Sequence, residues 1–284
     1  MSMGQRYPRP NVIEWPVTQV VRVCLRDIGV RSARTHNEAA PDRAARRRTP
    51  RSASRAGETP EQFVRRATRA MIVVGGGSSS RFGSDKLMTD VAGQPLIVHT
   101  IAALQDHVDV CVLVCRADQH DELDSLDLGV TIAPGGATRT DSEMSGLAAL
   151  GGEYDLIGIH DGARPLISRQ LIERLFKRAD EFGAAVPVLE PGALLIDRSF
   201  LRPIQNAKTI QTPQVFRGPA LLAVYARAAQ AGFEGYDTVE VVHEFGDLTI
   251  AAVPGDPLNI KVTRPADLEK VAGVLEGLSR NELR

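Results

Sequence analysis

The sequence predicts an α/β protein with a doubly wound, mostly parallel sheet. From Met71 onward, short apolar runs alternate with segments of helical period, which is typical of strand–helix repeats. Several of these runs lack polar alternation, as expected for parallel strands that are covered on both faces. In such sheets ligands bind beyond the carboxyl ends of the strands, so we expect the chemistry in the loops that follow the strands.

Seven apolar runs are predicted strands, and five longer segments are predicted helices. The strands are Met71–Val74, Val110–Cys115, Val130–Ala133, Leu156–His160, Ala184–Val188, Thr209–Gln211 and Leu248–Val253. The helices are Pro95–Gln105, Asp141–Leu150, Ser168–Phe182, Pro219–Ala231 and Pro265–Leu278.

A basic N-terminal extension precedes this pattern. Residues 1–70 hold 15 Arg, no Lys and 6 acidic residues, although the whole chain of 284 residues has a net charge of only −1. This stretch has little to bury, so residues 1–69 are predicted to be a disordered extension and residues 70–284 the folded domain. A basic tail can bind nucleic acid, but we interpret it as a solvated tail and expect no nucleic-acid partner for the folded domain.

Composition also narrows the class of protein. No apolar stretch approaches the roughly 20 residues that cross a bilayer, and the N-terminus has no secretory signal pattern. A cytoplasmic protein without a membrane partner is therefore expected. Cys111 and Cys115 lie four apart in one apolar run and are predicted to be buried hydrophobes; a Cys-x3-Cys metal pair is the alternative, but no second Cys or His pair accompanies it.

The loop after the first strand can cradle phosphates, because small residues let backbone N–H groups approach an anion closely. Arg81 and Lys86 add two cations that can reach a triphosphate. The spacing fits neither a Walker A loop nor the dinucleotide G-x-G-x-x-G pattern, and a Gly/Ser linker is the alternative. The predicted nucleotide-binding residues of this loop are Gly75, Gly76, Gly77 and Ser78.

The stretch from Gly75 to Lys86, followed by Gly93-Gln94-Pro95-Leu96-Ile97 before a helix, resembles the sugar nucleotidyltransferase superfamily. The resemblance implies a Rossmann-like nucleotidyltransferase fold. This stretch alone is as similar to the molybdenum-cofactor guanylyltransferases as to the cytidylyltransferases, so the other motifs have to separate the two.

A second motif, Gly135 to Ser142, follows the third strand. It is similar to the segment by which the 2-C-methyl-D-erythritol 4-phosphate cytidylyltransferase family holds cytosine. The resemblance implies that Gly136, Arg139 and Ser142 bind the nucleotide, with the backbone at Gly136 and the Ser142 side chain at the edge of the base. The alternative is a capped helix start, for which Thr140, Asp141 or Ser142 is the predicted N-cap; both interpretations can hold at once.

A third motif, His160-Asp161-Gly162-Ala163-Arg164-Pro165, follows the fourth strand. A carboxylate at the carboxyl end of a strand suits Mg²⁺, which favours one or two carboxylates together with phosphate oxygens and water. The motif resembles the family's His-Asp-Ala-Ala-Arg-Pro, which implies that Asp161 binds the metal and the nucleotide and that Arg164 supports the acceptor side. A surface turn with a local ion pair is the alternative, and His160 is interpreted as structural.

Two later motifs complete the resemblance. Gln211-Thr212-Pro213-Gln214-Val215-Phe216 is similar to the family's Gln-Thr-Pro-Gln-x-Phe, in which the Thr hydroxyl lies near the acceptor phosphate. The stretch from Asn259 to Pro265 resembles the family's closing motif, whose Lys, here Lys261, meets both the nucleotide and the incoming phosphate. Its Asn-Ile-Lys-Val-Thr residues are also predicted to end a strand, with Pro265 in the first turn of the last helix.

Five motifs in the family's order favour a cytidylyltransferase over the guanylyltransferases, which remain the alternative. The expected reaction moves CMP from CTP to a polyol or sugar phosphate such as 2-C-methyl-D-erythritol 4-phosphate and releases pyrophosphate, with Mg²⁺ as cofactor and a homodimer as the assembly. The predicted catalytic residues are Arg81, Lys86 and Lys261. The predicted acceptor-binding residues are Arg164, Thr212, Asp237 and Lys261.

Departures from the family pattern fall on the acceptor side. Tyr236-Asp237-Thr238-Val239 occupies the position of a Thr-Asp-Asp-Ala run, Ile204 that of an Arg, Glu190-Pro191 that of an Asp-Thr pair, and Asp85 that of a Pro before the loop lysine. In the family, acceptor residues partly come from an arm exchanged between two subunits, and the resemblance implies an equivalent small protruding arm here at about residues 191–208, between the fifth and sixth predicted strands. Two hypotheses follow: an active enzyme whose acceptor differs, or a non-catalytic nucleotide-binding paralogue. The retained loop cations, Asp161 and Lys261 favour the enzyme.

Overall fold

The computed structural model describes residues 66–76, 85–192 and 206–282, with side chains described up to residue 277. The predicted N-terminal extension, the middle of the glycine loop and most of the predicted arm lie outside these residues. Three predicted site residues also lie outside them, namely Gly77, Ser78 and Arg81.

Within the described residues the chain forms ten strands and seven helices. The strands are β1 (Arg69–Val74), β2 (Asp90–Val91), β3 (Gln94–Pro95), β4 (Val110–Cys115), β5 (Thr131–Pro134), β6 (Leu156–Asp161), β7 (Gly183–Leu189), β8 (Thr209–Ile210), β9 (Gln214–Arg217) and β10 (Thr249–Pro254). The helices are α1 (Leu96–Gln105), α2 (His120–Asp124), α3 (Arg139–Ala149), α4 (Arg169–Phe182), α5 (Gly218–Ala231), α6 (Thr238–Phe245) and α7 (Pro265–Glu282).

The main sheet has the order β10-β7-β9-β6-β1-β4-β5, and β8 pairs with the end of β7. All pairings among β1, β4, β5 and β6, and that of β7 with β10, are parallel, whereas β9 runs antiparallel between β6 and β7. This confirms the predicted mostly parallel sheet. The sequence prediction missed β9 because its four residues are too few to show a period.

Helices cover both faces of the sheet. One apolar cluster joins α1, α2 and α4 to residues such as Met71 and Leu113, and a second joins α3, α5 and α6 to Ile72 and Val112 on the opposite face. Cys111 and Cys115 both lie in the first cluster. Both are free and buried, which confirms their interpretation as buried hydrophobes, and burial raises the pKa of the Cys111 thiol to about 12.

The last helix packs on the β2–β3 hairpin through a third, smaller cluster that includes Val91, Val262 and Val271. Residues 259–263, which lead into this helix, were predicted to end a strand, and that prediction is wrong. The backbone bonds of the segment 255–264 instead form local turns, apart from two longer-range bonds in which Gly255 N donates to Val188 O and Val262 N donates to Ala163 O, each at 2.8 Å. No helix among the described residues has the length and hydropathy to cross a membrane.

The first strand begins two residues earlier than the sequence predicted, at Arg69 and not at Met71. Thr68 donates from its backbone N and its hydroxyl to Asp155 Oδ2 at 2.7 and 2.9 Å. Arg69, the first residue of β1, donates to Glu173 Oε2 at 2.9 Å and stacks over the ring of Phe176 at 4.7 Å. Polar residues therefore begin a strand that hydrophobicity alone placed at Met71.

Candidate active site

Asp161 is the centre of a charged cluster at the carboxyl edge of the sheet. It is the last residue of β6 and is 5% exposed. Arg139 Nη1 lies 3.0 Å from its Oδ1, while Arg164 Nε at 3.1 Å and Lys261 Nζ at 2.9 Å both contact Oδ2. Three cations from three different segments thus converge on one carboxylate.

This arrangement favours the charged forms of Asp161 and Arg139. Burial alone would raise the pKa of Asp161, but Lys261, Arg139 and Arg164 outweigh it and hold that pKa well below the usual range. Burial would likewise lower the pKa of Arg139, whereas the charges of Asp161, Glu143 and Asp237 raise it above its ordinary value. The cluster therefore combines one carboxylate with an excess of positive charge, which suits a polyanionic ligand.

The glycine loop and the second motif lie side by side. Gly75 leaves β1 and donates from its N to Val114 O at 2.7 Å, and Gly135 leaves β5 and donates to Cys115 O at 2.6 Å. A Cβ on Gly76 would come within 3.6 Å of Ser142 Oγ and 3.8 Å of Gly135 Cα. The two predicted nucleotide-binding segments therefore meet at one place on the sheet edge.

The second motif forms a helix start, as predicted, but the N-cap is Thr138 and not Thr140, Asp141 or Ser142, which lie within the helix. The helix α3 begins at Arg139, with Thr138 as its N-cap: Asp141 N donates to Thr138 Oγ1 at 3.0 Å, and Thr138 N donates to Asp141 Oδ2 at 3.1 Å. Ser142 Oγ accepts from Gly136 N at 3.1 Å and donates to Thr138 O at 2.9 Å. The hydroxyl proton of Ser142 is thus donated within the loop, so in this conformation the side chain stabilises the loop.

Thr212 and His160 form a hydrogen-bonded chain beneath Asp161. His160 Nε2 lies 3.1 Å from Arg164 O, which can only accept, so this nitrogen carries the proton and Nδ1 is an acceptor. Thr212 Oγ1 therefore donates to His160 Nδ1 at 3.2 Å and accepts from Asp161 N at 2.9 Å. Burial lowers the pKa of His160 to about 4, in keeping with a neutral ring. The single hydroxyl proton of Thr212 thus points into the protein.

The segment that carries Lys261 is braced by two side-chain amides. Gln211 Nε2 donates to Asp256 O at 2.8 Å, and its Oε1 accepts from Asp256 N at 3.0 Å. Asn259 is fully buried and donates from Nδ2 to Thr212 O at 2.8 Å, while its own carbonyl accepts from Arg164 Nη1 at 2.9 Å. These bonds join three of the sequence motifs into one rigid unit.

Sequence comparison assigns the family. The family model for 2-C-methyl-D-erythritol 4-phosphate cytidylyltransferase (IspD) matches residues 69–276. The chain belongs to this family. It is 35% identical over 222 residues to the 2-C-methyl-D-erythritol 4-phosphate cytidylyltransferase of Bacillus licheniformis, an alignment that covers 73% of this chain and 95% of the relative. A bifunctional IspD/IspF enzyme of Rhodopseudomonas palustris is 32% identical, with coverage of 75% of this chain and 57% of the relative.

Solved structures agree with this assignment. The 2-C-methyl-D-erythritol 4-phosphate cytidylyltransferase of Thermus thermophilus is 27% identical and superimposes with a TM-score of 0.60, covering 72% of this chain and 98% of the other. The 4-diphosphocytidyl-2C-methyl-D-erythritol synthase of Anaerococcus prevotii, at 24% identity, shares the fold with a TM-score of 0.65, covering 74% and 99%. The predicted family, fold class and enzyme class are therefore confirmed.

The predicted site residues divide into a nucleotide side and an acceptor side. The cytidylyltransferase motifs at Gly76, Ser142, Arg139, Asp161 and Lys261 are linked by the contacts described above. Lys86 is half-buried. The preceding residue, Asp85, accepts hydrogen bonds from Leu87 N at 3.1 Å and from Gln119 Nε2.

On the acceptor side, Asp237 caps α6 and accepts from Gln214 Nε2 at 3.3 Å. Arg164 is mostly buried and spans Asp161 and the Asn259 carbonyl, so its guanidinium braces the site. Sequence reasoning missed the contributions of Gln211, Asn259 and Glu143. The i,i+4 spacing of Arg139 and Glu143 was the one available signal for the last of these.

Proposed function

We propose that this member of the cytidylyltransferase family transfers CMP from CTP to 2-C-methyl-D-erythritol 4-phosphate and releases pyrophosphate. The observation that carries the proposal is the convergence of Arg139, Arg164 and Lys261 on Asp161 at the sheet edge that the glycine loop also borders. Two further supports are the match over residues 69–276 and the activity named for the relatives.

The reaction requires the protein mainly to position the two substrates and to stabilise negative charge. An oxygen of the acceptor phosphate attacks the α-phosphorus of CTP, and the bond from that phosphorus to the leaving pyrophosphate breaks. Negative charge spreads over the phosphate oxygens in the transition state, so preorganised cations lower the barrier. We assign this role to Lys261 and Arg139 of the described cluster, together with Arg81 and Lys86 of the glycine loop.

The donor set fits a magnesium ion that arrives with the nucleotide. No group of three or more His, Cys, Asp or Glu side chains among the described residues could hold a metal. Asp161 accepts three contacts through its two oxygens, out of about four lone-pair positions, which leaves one position on Oδ1. Mg²⁺ commonly combines one carboxylate with substrate phosphates and water, and it would neutralise phosphate charge here.

The acceptor side is proposed to work through different atoms than the family pattern implies. The Thr212 proton is donated to His160, which supports a role for Thr212 in fixing the Asp161 backbone. The Asp237 carboxylate can accept from the hydroxyl groups of a polyol, and Lys261 carries the charge that a phosphate needs. We further propose a homodimer in which the arm at about 191–208 completes the acceptor site, as the family resemblance implies.

A pyrophosphate-release assay tests the function. The four nucleoside triphosphates are crossed with 2-C-methyl-D-erythritol 4-phosphate and a panel of other polyol and sugar phosphates, with and without Mg²⁺. Release is expected with CTP and the methylerythritol phosphate, and only when Mg²⁺ is present. Binding of CTP without release from any pair would contradict the proposal and favour the non-catalytic paralogue.

A further inference from the structure

A second buried carboxylate lies directly behind Arg139. Glu143 follows it by one helical turn on α3, and its side chain is 1% exposed. Its Oε1 lies 2.9 Å from Arg139 Nε, while Arg139 Nη1 lies 3.0 Å from Asp161 Oδ1. Arg139 therefore lies between two carboxylates: Nη1 donates a hydrogen bond to Asp161, whereas Nε forms an ion pair with Glu143 without hydrogen-bond geometry, so Glu143 attracts the guanidinium by its charge.

Two buried hydroxyl groups hold Glu143 in turn. Thr238 Oγ1 donates to Glu143 Oε1 at 2.9 Å, and the hydroxyl of Tyr225 donates to Oε2. Both partners are at most 2% exposed. A carboxylate that receives two hydroxyl protons and faces a guanidinium has the partners of an ionised group on every side, so the cluster is built around a negative charge.

Burial raises the pKa of Glu143, and Asp237 adds to this effect. Arg139 and the hydroxyl groups of Tyr225 and Thr238 oppose it, because each of them favours the charged carboxylate.

The same carboxylate connects α3 with the acceptor-side segment. Thr238 is the first residue of α6, directly after Asp237. One turn earlier on α3, Thr140 Oγ1 accepts from Gly235 N at 3.0 Å, so the segment before α6 is fastened to α3 at two points. The helix that presents Arg139 thus also supports the segment that carries Asp237.

We propose that Glu143 is a positioning residue of the transfer reaction, which orients Arg139 towards the nucleotide phosphates. A long arginine side chain held by Asp161 alone can rotate about that contact, whereas the second carboxylate removes this freedom. Preorganised charge stabilises a transition state better than charge that must first be ordered. The inference rests on the proposed function in one respect, namely that Arg139 contacts CTP.

The central test removes the charge and keeps the shape. Glu143→Gln is expected to lower kcat/KM for CTP by about 10- to 100-fold, the usual range for losing a group that orients a ligand-binding side chain. In an Arg139→Ala background the same substitution is expected to have no further effect, because Glu143 acts through Arg139. Melting temperatures of all variants identify any loss of folded protein.

Two matched variants separate positioning from packing. Tyr225→Phe removes one of the two hydroxyl groups that hold Glu143 but keeps the pair of Glu143 and Arg139, so kcat/KM should fall by much less than in Glu143→Gln. Glu244→Gln changes an exposed glutamate of α6 and should have no effect. A loss in Tyr225→Phe as large as that in Glu143→Gln would overturn the proposal, because packing alone would explain both.

A readout that needs no turnover separates this inference from the proposed function. Phenylglyoxal modifies arginine, and mass spectrometry measures its rate at Arg139. Glu143→Gln should make Arg139 react faster than in the wild type, whereas Glu244→Gln should not. An unchanged rate, or an equal fall in kcat/KM with and without Arg139, would overturn the proposal. If the wild type released no pyrophosphate, the proposed function would be refuted, whereas the phenylglyoxal comparison would still test whether Glu143 restrains Arg139.

Discussion

Lys261 is the most accessible cation of the Asp161 cluster, with a side chain that is 40% exposed. We expect Lys261→Ala to lower kcat by about 10²-fold or more, which is the scale of losing one preorganised charge stabiliser. The matched control is Lys270→Ala on α7, whose side chain is 65% exposed and pairs only loosely with Asp267 at 3.7 Å. Pyrophosphate release measures both, and wild-type turnover in Lys261→Ala would refute the assigned role.

His160 should make folding stability depend on pH. Its pKa is about 4 in the folded protein and about 6.5 when unfolded, so between these values the unfolded chain binds the proton and the folded chain does not. The free energy of unfolding therefore falls as the pH drops from 6.5 towards 4, by roughly 3 kcal/mol from this residue.

Denaturant unfolding at pH 7 and pH 4.5 measures this dependence. His160→Gln should lose less stability between the two pH values than the wild type does, whereas the exposed His243→Gln should behave like the wild type. Equal losses in all three proteins would show that His160 does not cause the acid sensitivity.

Sequence patterns located the charged residues but not their partners. The motifs placed Arg139, Asp161 and Lys261 at loop positions after strands, and the structure links them. The role of Glu143 could not be derived in this way, because it depends on Thr238 and Tyr225, which lie 95 and 82 residues away. Thr238 stands where the family resemblance implies Asp, and it donates to Glu143.

At the scale of secondary structure, long apolar runs were predicted well and short or mixed ones were not. The bounds of β4 agree with the prediction, and α3 begins two residues early because Thr138 caps it. The helix α6 was missed, since its residues Thr-Val-Glu-Val-Val are rich in β-branched side chains, which are typical of strands. Tertiary contacts through Thr238 and Val241 override that preference.

The start of α3 leaves no room for a side chain at Gly136. A Cβ there would lie 2.1 Å from Asp141 Cβ and 3.1 Å from the Asp141 backbone, so the capping loop would have to move. We expect Gly136→Ala to lower kcat/KM for CTP by about 10²-fold through displacement of Arg139 and its neighbours.

The control for this substitution lies on the last helix. A Cβ on Gly273 would meet nothing within 4 Å, so Gly273→Ala should leave activity unchanged and stabilise α7 by up to about 1 kcal/mol. Steady-state kinetics and thermal unfolding of both variants test the contrast. Normal CTP kinetics in Gly136→Ala would show that the loop tolerates the shift.

At the scale of the whole molecule, two truncations that differ by four residues locate the start of the domain. Deleting residues 1–65 should leave the melting temperature and activity nearly unchanged. Deleting residues 1–69 also removes the bonds of Thr68 to Asp155 and the pair of Arg69 and Glu173, so the melting temperature should fall. Circular dichroism melts compare the two, and a similar fall in both would place the extension within the fold.

The overall architecture was predictable because it depends on regular alternation along the chain. The sheet order, the antiparallel direction of β9 and the irregular path of residues 255–264 were not, since each is decided by contacts between distant segments. The meeting of the motifs at one edge followed from the strand-end rule for parallel sheets. The pairing of Asp161 with Arg139, Arg164 and Lys261 could not be predicted, because it depends on contacts between segments that are distant in the sequence.

The position of β9 has a further consequence. It pairs with β6 over four residues and with β7 over two, and it is the strand that connects the β10–β7 pair to the β6-β1-β4-β5 group. Arg139 and Asp161 belong to the larger group, while Lys261 follows β10. A ligand bound by all three residues therefore contacts both groups of strands, and its binding free energy adds to the free energy needed to separate the two groups. We therefore expect slower hydrogen exchange of the β9 amide protons when the ligand is bound.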